Sequence, residues 1–272
     1  MDWFQAVFLA IVQGLTEFLP VSSSAHLILP SQLFGWPDQG IAFDVAVHLG
    51  TLIAVVAYFR RDVISITRGS LSAVVERKTN ESALLGLAVV VATVPAVVVG
   101  GLFHDFIGEE LRTSAVIACT TIIFGVLLWV ADAKGSRLLK QHEMTLKFAL
   151  LIGCAQAVAL IPGTSRSGIT ITAALFIGFD RMSSARFSML LSIPLILAAG
   201  LLETIKLLQV EGAVWWDMIL LGTAVSGLSA YLCIHYFLQL LERIGMLPFV
   251  IYRLFLGGFL LFFIVLGAGA SY

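Results

Sequence analysis

The stretch that decides the fold is "EFLPVSSSAHLIL", Glu17 to Leu29. A carboxylate, a proline, three serines and a histidine interrupt residues otherwise fit for hydrocarbon. Such a run is either a surface loop between ordinary helices or a polar break sunk into a membrane. Composition decides. Of 272 residues, 59% are hydrophobic and only 12% charged, with mean hydropathy +1.00. A soluble domain needs more surface charge than that. Long apolar runs bounded by charge therefore read as membrane spans, and the break reads as buried.

Six runs have the length of a span: 41–59, 83–103, 114–131, 187–204, 217–238 and 248–268. Two further apolar regions are each broken once, 3–34 at "PVSSSAH" and 146–179 at "PGTSRSG". A break exposed to lipid would leave backbone groups unpaired, so each must be buried in protein or line a wet cavity. Both are read as re-entrant hairpins. The expected fold is an all-α polytopic membrane protein of six transmembrane helices and two re-entrant helical hairpins.

Charge tests the second hairpin. With it, one face holds Arg60, Arg61, Arg68, Arg77, Lys78, Lys134, Arg137, Lys140, Lys147, Arg181, Arg186 and Arg243, and the other keeps only Arg112 and Lys206. A single crossing of 146–179 would move Arg181, Arg186 and Arg243 across and spoil that asymmetry. The basic face is accordingly cytoplasmic, with both termini outside. No basic residue flanks the first hairpin, which rests on analogy with the second. Each half then reads as a broken pair followed by three spans, entering from opposite faces. That is the pattern of two inverted-topology repeats, 1–140 and 141–272, with a site where the breaks meet.

Other functions are excluded by the same numbers. A net charge of −1 without a basic block offers nothing to nucleic acid. Cys119, Cys154 and Cys233 follow no metal or disulfide spacing and read as small buried apolar residues. The N-terminus lacks the basic start and cleavage site of a signal peptide and reads as mature protein.

The breaks carry the chemistry. Gln13 and Glu17 are four apart and share a helix face. Pro20 ends that helix. Ser22, Ser23 and Ser24 suit the N-cap of the returning arm, with His26 in its first turn. In the second break Pro162 ends an arm, Gly163 permits a tight turn, Thr164, Ser165 and Ser167 offer hydroxyls, and Arg166 sits at the tip. Both returning arms present helix N-termini, which attract anions. Arginine at that depth is costly unless paired, and its planar head suits phosphate.

Taken singly these residues have plain structural uses: a helix-end carboxylate, caps and back-bonds for the serines, an interior histidine, an Arg166–Glu17 pair. Their gathering at two related breaks favours a site for a phosphorylated lipid head. Glu17 would serve a divalent cation such as Mg²⁺ or Ca²⁺. Two chemistries are open: Ser23 as nucleophile with His26 or Glu17 as base, or His26 itself attacked. Arg166 and the tip amides would hold the phosphate. Asp44 and His48, four apart at the outer start of the first full span, have two readings, a place around the site or, more simply, at the interface. His104, Asp105, Glu109 and Glu110 read as a solvated outer loop, and Glu203, Lys206 and Arg253 as snorkelling.

"QGLTEFLPVSSSAH" and "PGTSRSG", together with "LPFVIYR" near the last span, resemble the signature motifs of the undecaprenyl-diphosphate phosphatase family of the bacitracin-resistance type. The resemblance covers essentially the whole chain. It implies a divalent-cation-dependent phosphatase that converts undecaprenyl diphosphate to the monophosphate carrier lipid for envelope polymers. It also implies action at the outer face of the inner membrane and bacitracin resistance. By that likeness the motif residues are Gln13, Glu17, Ser23, His26, Ser165 and Arg166. Gln13 stands where glutamate is common, and a neutral amide is neither a base nor an anionic ligand, so the acid and metal roles fall on Glu17. Partners would be the lipid substrate and bilayer lipids, and a homodimer is compatible with the chain. A lipid or ion transporter is the rival class, because broken helices in inverted repeats also serve alternating access.

Overall fold

A computed structural model describes residues 2–36, 40–77, 80–103, 106–107, 110–207 and 215–267. Lys78, His104, Asp105 and Glu109 lie outside the described residues, as does the side chain of Lys206. The described chain is helical: α1 Trp3–Thr16, α2 Ser23–Phe34, α3 Ile41–Tyr58, α4 Arg60–Glu76, α5 Glu81–Leu102, α6 Ser114–Lys134, α7 Leu146–Val158, α8 Arg166–Ile177, α9 Arg181–Leu207, α10 Trp216–Ile244 and α11 Leu247–Val265. Starts are set by side-chain caps. Asp2 and Gln5 form a reciprocal capping box at α1, and Asn80, Thr113 and Thr145 cap α5, α6 and α7.

Six of these helices, α3, α5, α6, α9, α10 and α11, are long and apolar enough to cross a bilayer. They match the six expected runs. α1, α7 and α8 are apolar but have 14, 13 and 12 residues. At about 1.5 Å per residue none reaches across the ~30 Å hydrocarbon core. The basic segment after the first span is not open loop: residues 60–76 form α4, packed on α5.

The second break is a hairpin that enters and leaves on one face. Leu139, before α7, bridges to Phe179, after α8, through Leu139 N–H to the Gly178 carbonyl and Asp180 N–H to the Leu139 carbonyl, each 3.0 Å. The first pair also closes at its base, where Phe4 and Phe8 of α1 pack edge-on against Trp36, which follows α2. Around the base of the second hairpin the basic end is laced by ion pairs: Arg186 to Asp62, Arg181 to Asp132, Lys140 to Asp180.

Helices approach through small residues, as expected where lipid removes any hydrophobic gain from association. A Cβ on Gly50 of α3 would fall 2.3 Å from the Thr223 carbonyl of α10. Ser226 uses the same closeness to donate to the Val47 carbonyl at 2.9 Å. The largest apolar cluster joins Val55, Ala92, Leu128, Ile152, Leu175, Leu191 and Phe237 from seven helices.

The Lys140–Asp180 latch gives a pH test. Burial acts to raise the Asp180 carboxyl, but hydrogen bonds from Lys140 and Ser183 outweigh it and hold it below the ordinary aspartate value of 3.8. A depressed carboxyl stabilises above its unfolded pKa and loses that contribution as pH falls through the folded one. Asp180→Asn is therefore expected to lower the Tm of the detergent-solubilised protein at pH 7. The gap from wild type should close below about pH 4, and a gap unchanged with pH would assign the effect to packing.

Candidate active site

Both breaks are built on the same local device. The residue before each returning helix, Ser22 before α2 and Ser165 before α8, is held at positive φ, 74° and 70°. Non-glycine residues rarely adopt that region, and it tends to be kept where a tip must point a particular way. In each tip the hydroxyl reaches the serine two residues on, Ser22 to Ser24 at 3.1 Å and Ser165 to Ser167 at 3.2 Å. Ser165 also caps α8 by accepting from Gly168 N–H.

The tips meet. Ser167 donates to the Leu19 carbonyl at 2.8 Å, and Gly163 N–H points to the Ser24 hydroxyl at 3.5 Å. Gly163, at φ 86°, passes so close to α6 that a Cβ would fall 2.5 Å from the Ile117 carbonyl, while Thr120 donates to the Pro162 carbonyl at 2.6 Å. At the junction Glu17 is gripped from both sides. Arg166 Nη2 donates to Oε1 at 2.8 Å, and Ser23 Oγ donates to Oε2 at 3.1 Å. Gln13 Nε2, from a fully buried side chain one turn earlier, adds a bond to Oε2 at 3.0 Å. Arg166 and Glu17 side chains are only 11% and 10% exposed. Arg166 is steadied further by the Ser188 carbonyl and the face of Phe18.

His26 turns elsewhere. Its Nδ1 lies 2.7 Å from the Ser22 carbonyl and its Nε2 2.5 Å from the Tyr252 hydroxyl, with the rings stacked. A carbonyl only accepts, so Nδ1 carries the proton, and in the neutral ring Nε2 then accepts from Tyr252. Glu17, not His26, is the base-type group in contact with the Ser23 hydroxyl. Thr164 is fully buried and its hydroxyl has no partner; so is the Oε1 of Gln13.

A cavity of 370 Å³ opens from the Glu17–Arg166 pair toward the end of the bundle opposite the basic one. Its walls correct three readings of the sequence. Asp44 and His48 line it from α3 and Glu203 from α9, beside Arg112. α3 and α9 converge on the site, which places these groups around it rather than at an interface or snorkelling.

The largest correction is Arg253. It is fully buried, not snorkelling. Its guanidinium donates to the Thr121 and Thr164 carbonyls at 3.0 Å and to Gly163 at 3.1 Å, with longer bonds to Thr120 and Pro20 at 3.4 Å. Pro20 belongs to the first tip, Gly163 and Thr164 to the second, and Thr120 and Thr121 to α6. One side chain answers the carbonyls that both breaks leave open. Gly125 and Gly168 make room for it.

A family model described as "Bacitracin resistance protein BacA" matches residues 6–259. The chain belongs to the bacitracin-resistance family. Proteins named undecaprenyl-diphosphatase are similar over nearly their whole length. The one from Alcanivorax borkumensis is 61% identical over 264 residues, covering 97% of this chain and 100% of the relative. That from Chromohalobacter salexigens is 60% identical over 257 residues, 94% and 97%. That from Teredinibacter turnerae is 58% identical over 257 residues, 94% and 97%. In this member of the family the motif tips meet at one carboxylate.

Arg253→Met is expected to strand several buried carbonyls at about 1–3 kcal/mol each, lowering Tm and loosening both tips. Arg253→Lys keeps the charge but lacks the planar fork and should recover only part of the loss. Full recovery by lysine would assign Arg253 a charge role alone.

Proposed function

We propose that the chain is an integral membrane phosphatase that hydrolyses undecaprenyl diphosphate to undecaprenyl phosphate and inorganic phosphate. Recycling of this carrier supports peptidoglycan synthesis and confers resistance to bacitracin. One observation carries the reading: a buried carboxylate gripped by an arginine from one tip and a serine hydroxyl from the other, Arg166–Glu17–Ser23. The diphosphate head would enter the 370 Å³ cavity, leaving the prenyl chain in the bilayer. Few basic residues at the cavity end and many at the other favour an inner-membrane protein with its site outward. The paired breaks, each followed by three spans, support two inverted repeats, 1–140 and 141–272.

In the mechanism proposed, Ser23 Oγ attacks the terminal phosphorus and its proton passes to Glu17. The bond from that phosphorus to the bridging oxygen breaks, undecaprenyl phosphate leaves with the proton from Glu17, and Ser23 carries the phosphoryl group. Glu17 then takes a proton from water, whose oxygen attacks the phosphoserine, and returns it to Ser23 as inorganic phosphate departs. Arg166 holds the equatorial oxygens, where charge accumulates. Gln13, Ser22, Ser24, Gly163, Thr164, Ser165 and Ser167 shape the tips and amides around the phosphate.

The residues suit a hard cation. Among the described residues no three acids or histidines gather to hold a metal by themselves. Mg²⁺ commonly takes one or two protein carboxylates plus substrate phosphate oxygens; Glu17 would supply one such carboxylate, and the Oε1 of Gln13, one turn earlier, is buried without a partner. When bound, the cation would neutralise phosphate charge, a service Ca²⁺ could share.

Phosphate release from undecaprenyl diphosphate by protein in detergent with Mg²⁺, where no gradient exists, separates this reading from a transporter. Ser23→Ala, Glu17→Gln and Arg166→Ala are each expected to lose about 10²–10⁴-fold, Ser23→Ala with its Tm little changed and the other two with a lowered Tm from the stranded charge. Near-normal turnover of Ser23→Ala would remove the serine from the chemistry. His26→Ala should lose no more than about tenfold, below the usual loss for a general base, and a trapped phosphoryl group should sit on serine. A phosphohistidine would reverse the roles.

A further inference from the structure

α4 takes no part in the site. It carries Arg60, Arg61 and Arg68, all exposed, and an apolar stripe of Ile64, Leu71, Val74 and Val75 that is 49, 63, 78 and 71% exposed. At 3.6 residues per turn the stripe occupies the side of the helix away from Ile66 and Gly69, which face α5. An arginine edge beside an exposed apolar face is the arrangement of a helix lying at a bilayer surface.

Two concavities flank this helix. One, of 540 Å³, is lined by Arg61, Ser65, Arg68 and Ser72 of α4 with Asn80 and Ser82 from the start of α5, and no carboxylate is among its walls. Two guanidiniums with several hydroxyls favour a phosphate. Asp62, the acid on the same turn, is already taken by Arg186 at 2.8 Å. The other concavity, of 630 Å³, lies on the opposite side of α4 against α5 and α9, with walls that include Ile66, Leu87, Val90, Leu190 and Leu197. The exposed stripe joins the two around the free side of the helix.

We infer that α4 and the start of α5 form a binding site for an anionic phospholipid of the leaflet at the basic end. The phosphate sits between Arg61 and Arg68, and one acyl chain passes over Leu71 and Val74 into the apolar groove. Charge complementarity selects the occupant: a zwitterionic lipid brings no net charge to answer the arginines, and a soluble anion leaves the groove unfilled.

The test uses the full chain in neutral detergent, with unfolding followed by tryptophan fluorescence. Dioleoyl phosphatidylglycerol is expected to raise Tm by about 3 °C more than dioleoyl phosphatidylcholine does. Glycerol 1-phosphate alone should give no such rise. The difference between the two lipids should vanish in Arg61→Gln/Arg68→Gln and shrink in Ala73→Phe, which fills the groove. Should the double variant fail to fold, Ser65→Glu places an anion in the same concavity and should abolish the difference. The inference is overturned if wild type does not distinguish the lipids, if the charge variants still do, if Ala73→Phe leaves the difference intact, or if glycerol phosphate reproduces it.

Discussion

Backbone carbonyls and amides left open inside hydrocarbon are the constraint on which this molecule depends. Two helices stop short of crossing, at Thr16 and Val158, a turn before Pro20 and Pro162, and each stop frees peptide groups that lipid cannot answer. Arg253 answers Pro20, Gly163 and Thr164, Thr120 answers Pro162, and Ser167 answers Leu19. In satisfying the breaks these bonds also draw the tips together. The site is thus a product of the same requirement that makes the fold possible, and Glu17, Ser23 and Arg166 are carried to one point by it.

Their electrostatics follow. A lone arginine or carboxylate at this depth would cost several kcal/mol, so each needs the other, and the Arg166–Glu17 contact at 2.8 Å meets that need before any substrate arrives. Gln13 beside Glu17 keeps the balance. A second carboxylate at that position would place like charges within hydrogen-bonding reach and favour protonation of one of them. A neutral amide leaves one negative and one positive group, the balance that the proposed base role of Glu17 would use. In the mechanism proposed, the diphosphate would compete for Arg166 and loosen its hold on the carboxylate.

Much of this was legible in the sequence, and the failures have physical reasons. Polar runs at 17–26 and 162–167 within apolar surroundings announced the breaks, and charge asymmetry announced the hairpin that Leu139 and Phe179 close. Arg253 was misread because its partners are loop carbonyls, which have no residue-type signature, and one turn into a span snorkelling is the ordinary explanation. Asp44, His48 and Glu203 lie far apart in sequence, and only the convergence of α3 and α9 brings them to one cavity. His26 follows Ser23 by three residues, a spacing that puts both on neighbouring faces of a helix. Yet Ser22 and Tyr252 capture the imidazole, a preference set by a residue more than two hundred positions away. α4 was visible as a basic segment but not as a helix, because its packing against α5 rather than any cap organises it.

The two breaks also show how a shared device comes to do unlike work. Gln13 stands nine residues before Ser22, and Gln156 nine before Ser165; both amides are fully buried, each with its oxygen unpaired. Both serines hold positive φ and both reach the serine two positions on. Within that common frame Glu17 corresponds to Leu160, and Ser23 to Arg166. One tip therefore offers a carboxylate and a hydroxyl, the other a guanidinium. Under the mechanism proposed above neither set would suffice alone: the carboxylate would repel a diphosphate, and the guanidinium is no nucleophile. With the two tips meeting, the proposed mechanism would set attraction and attack on the two flanks of one phosphate, which a single break would not offer with so short a stretch of irregular chain.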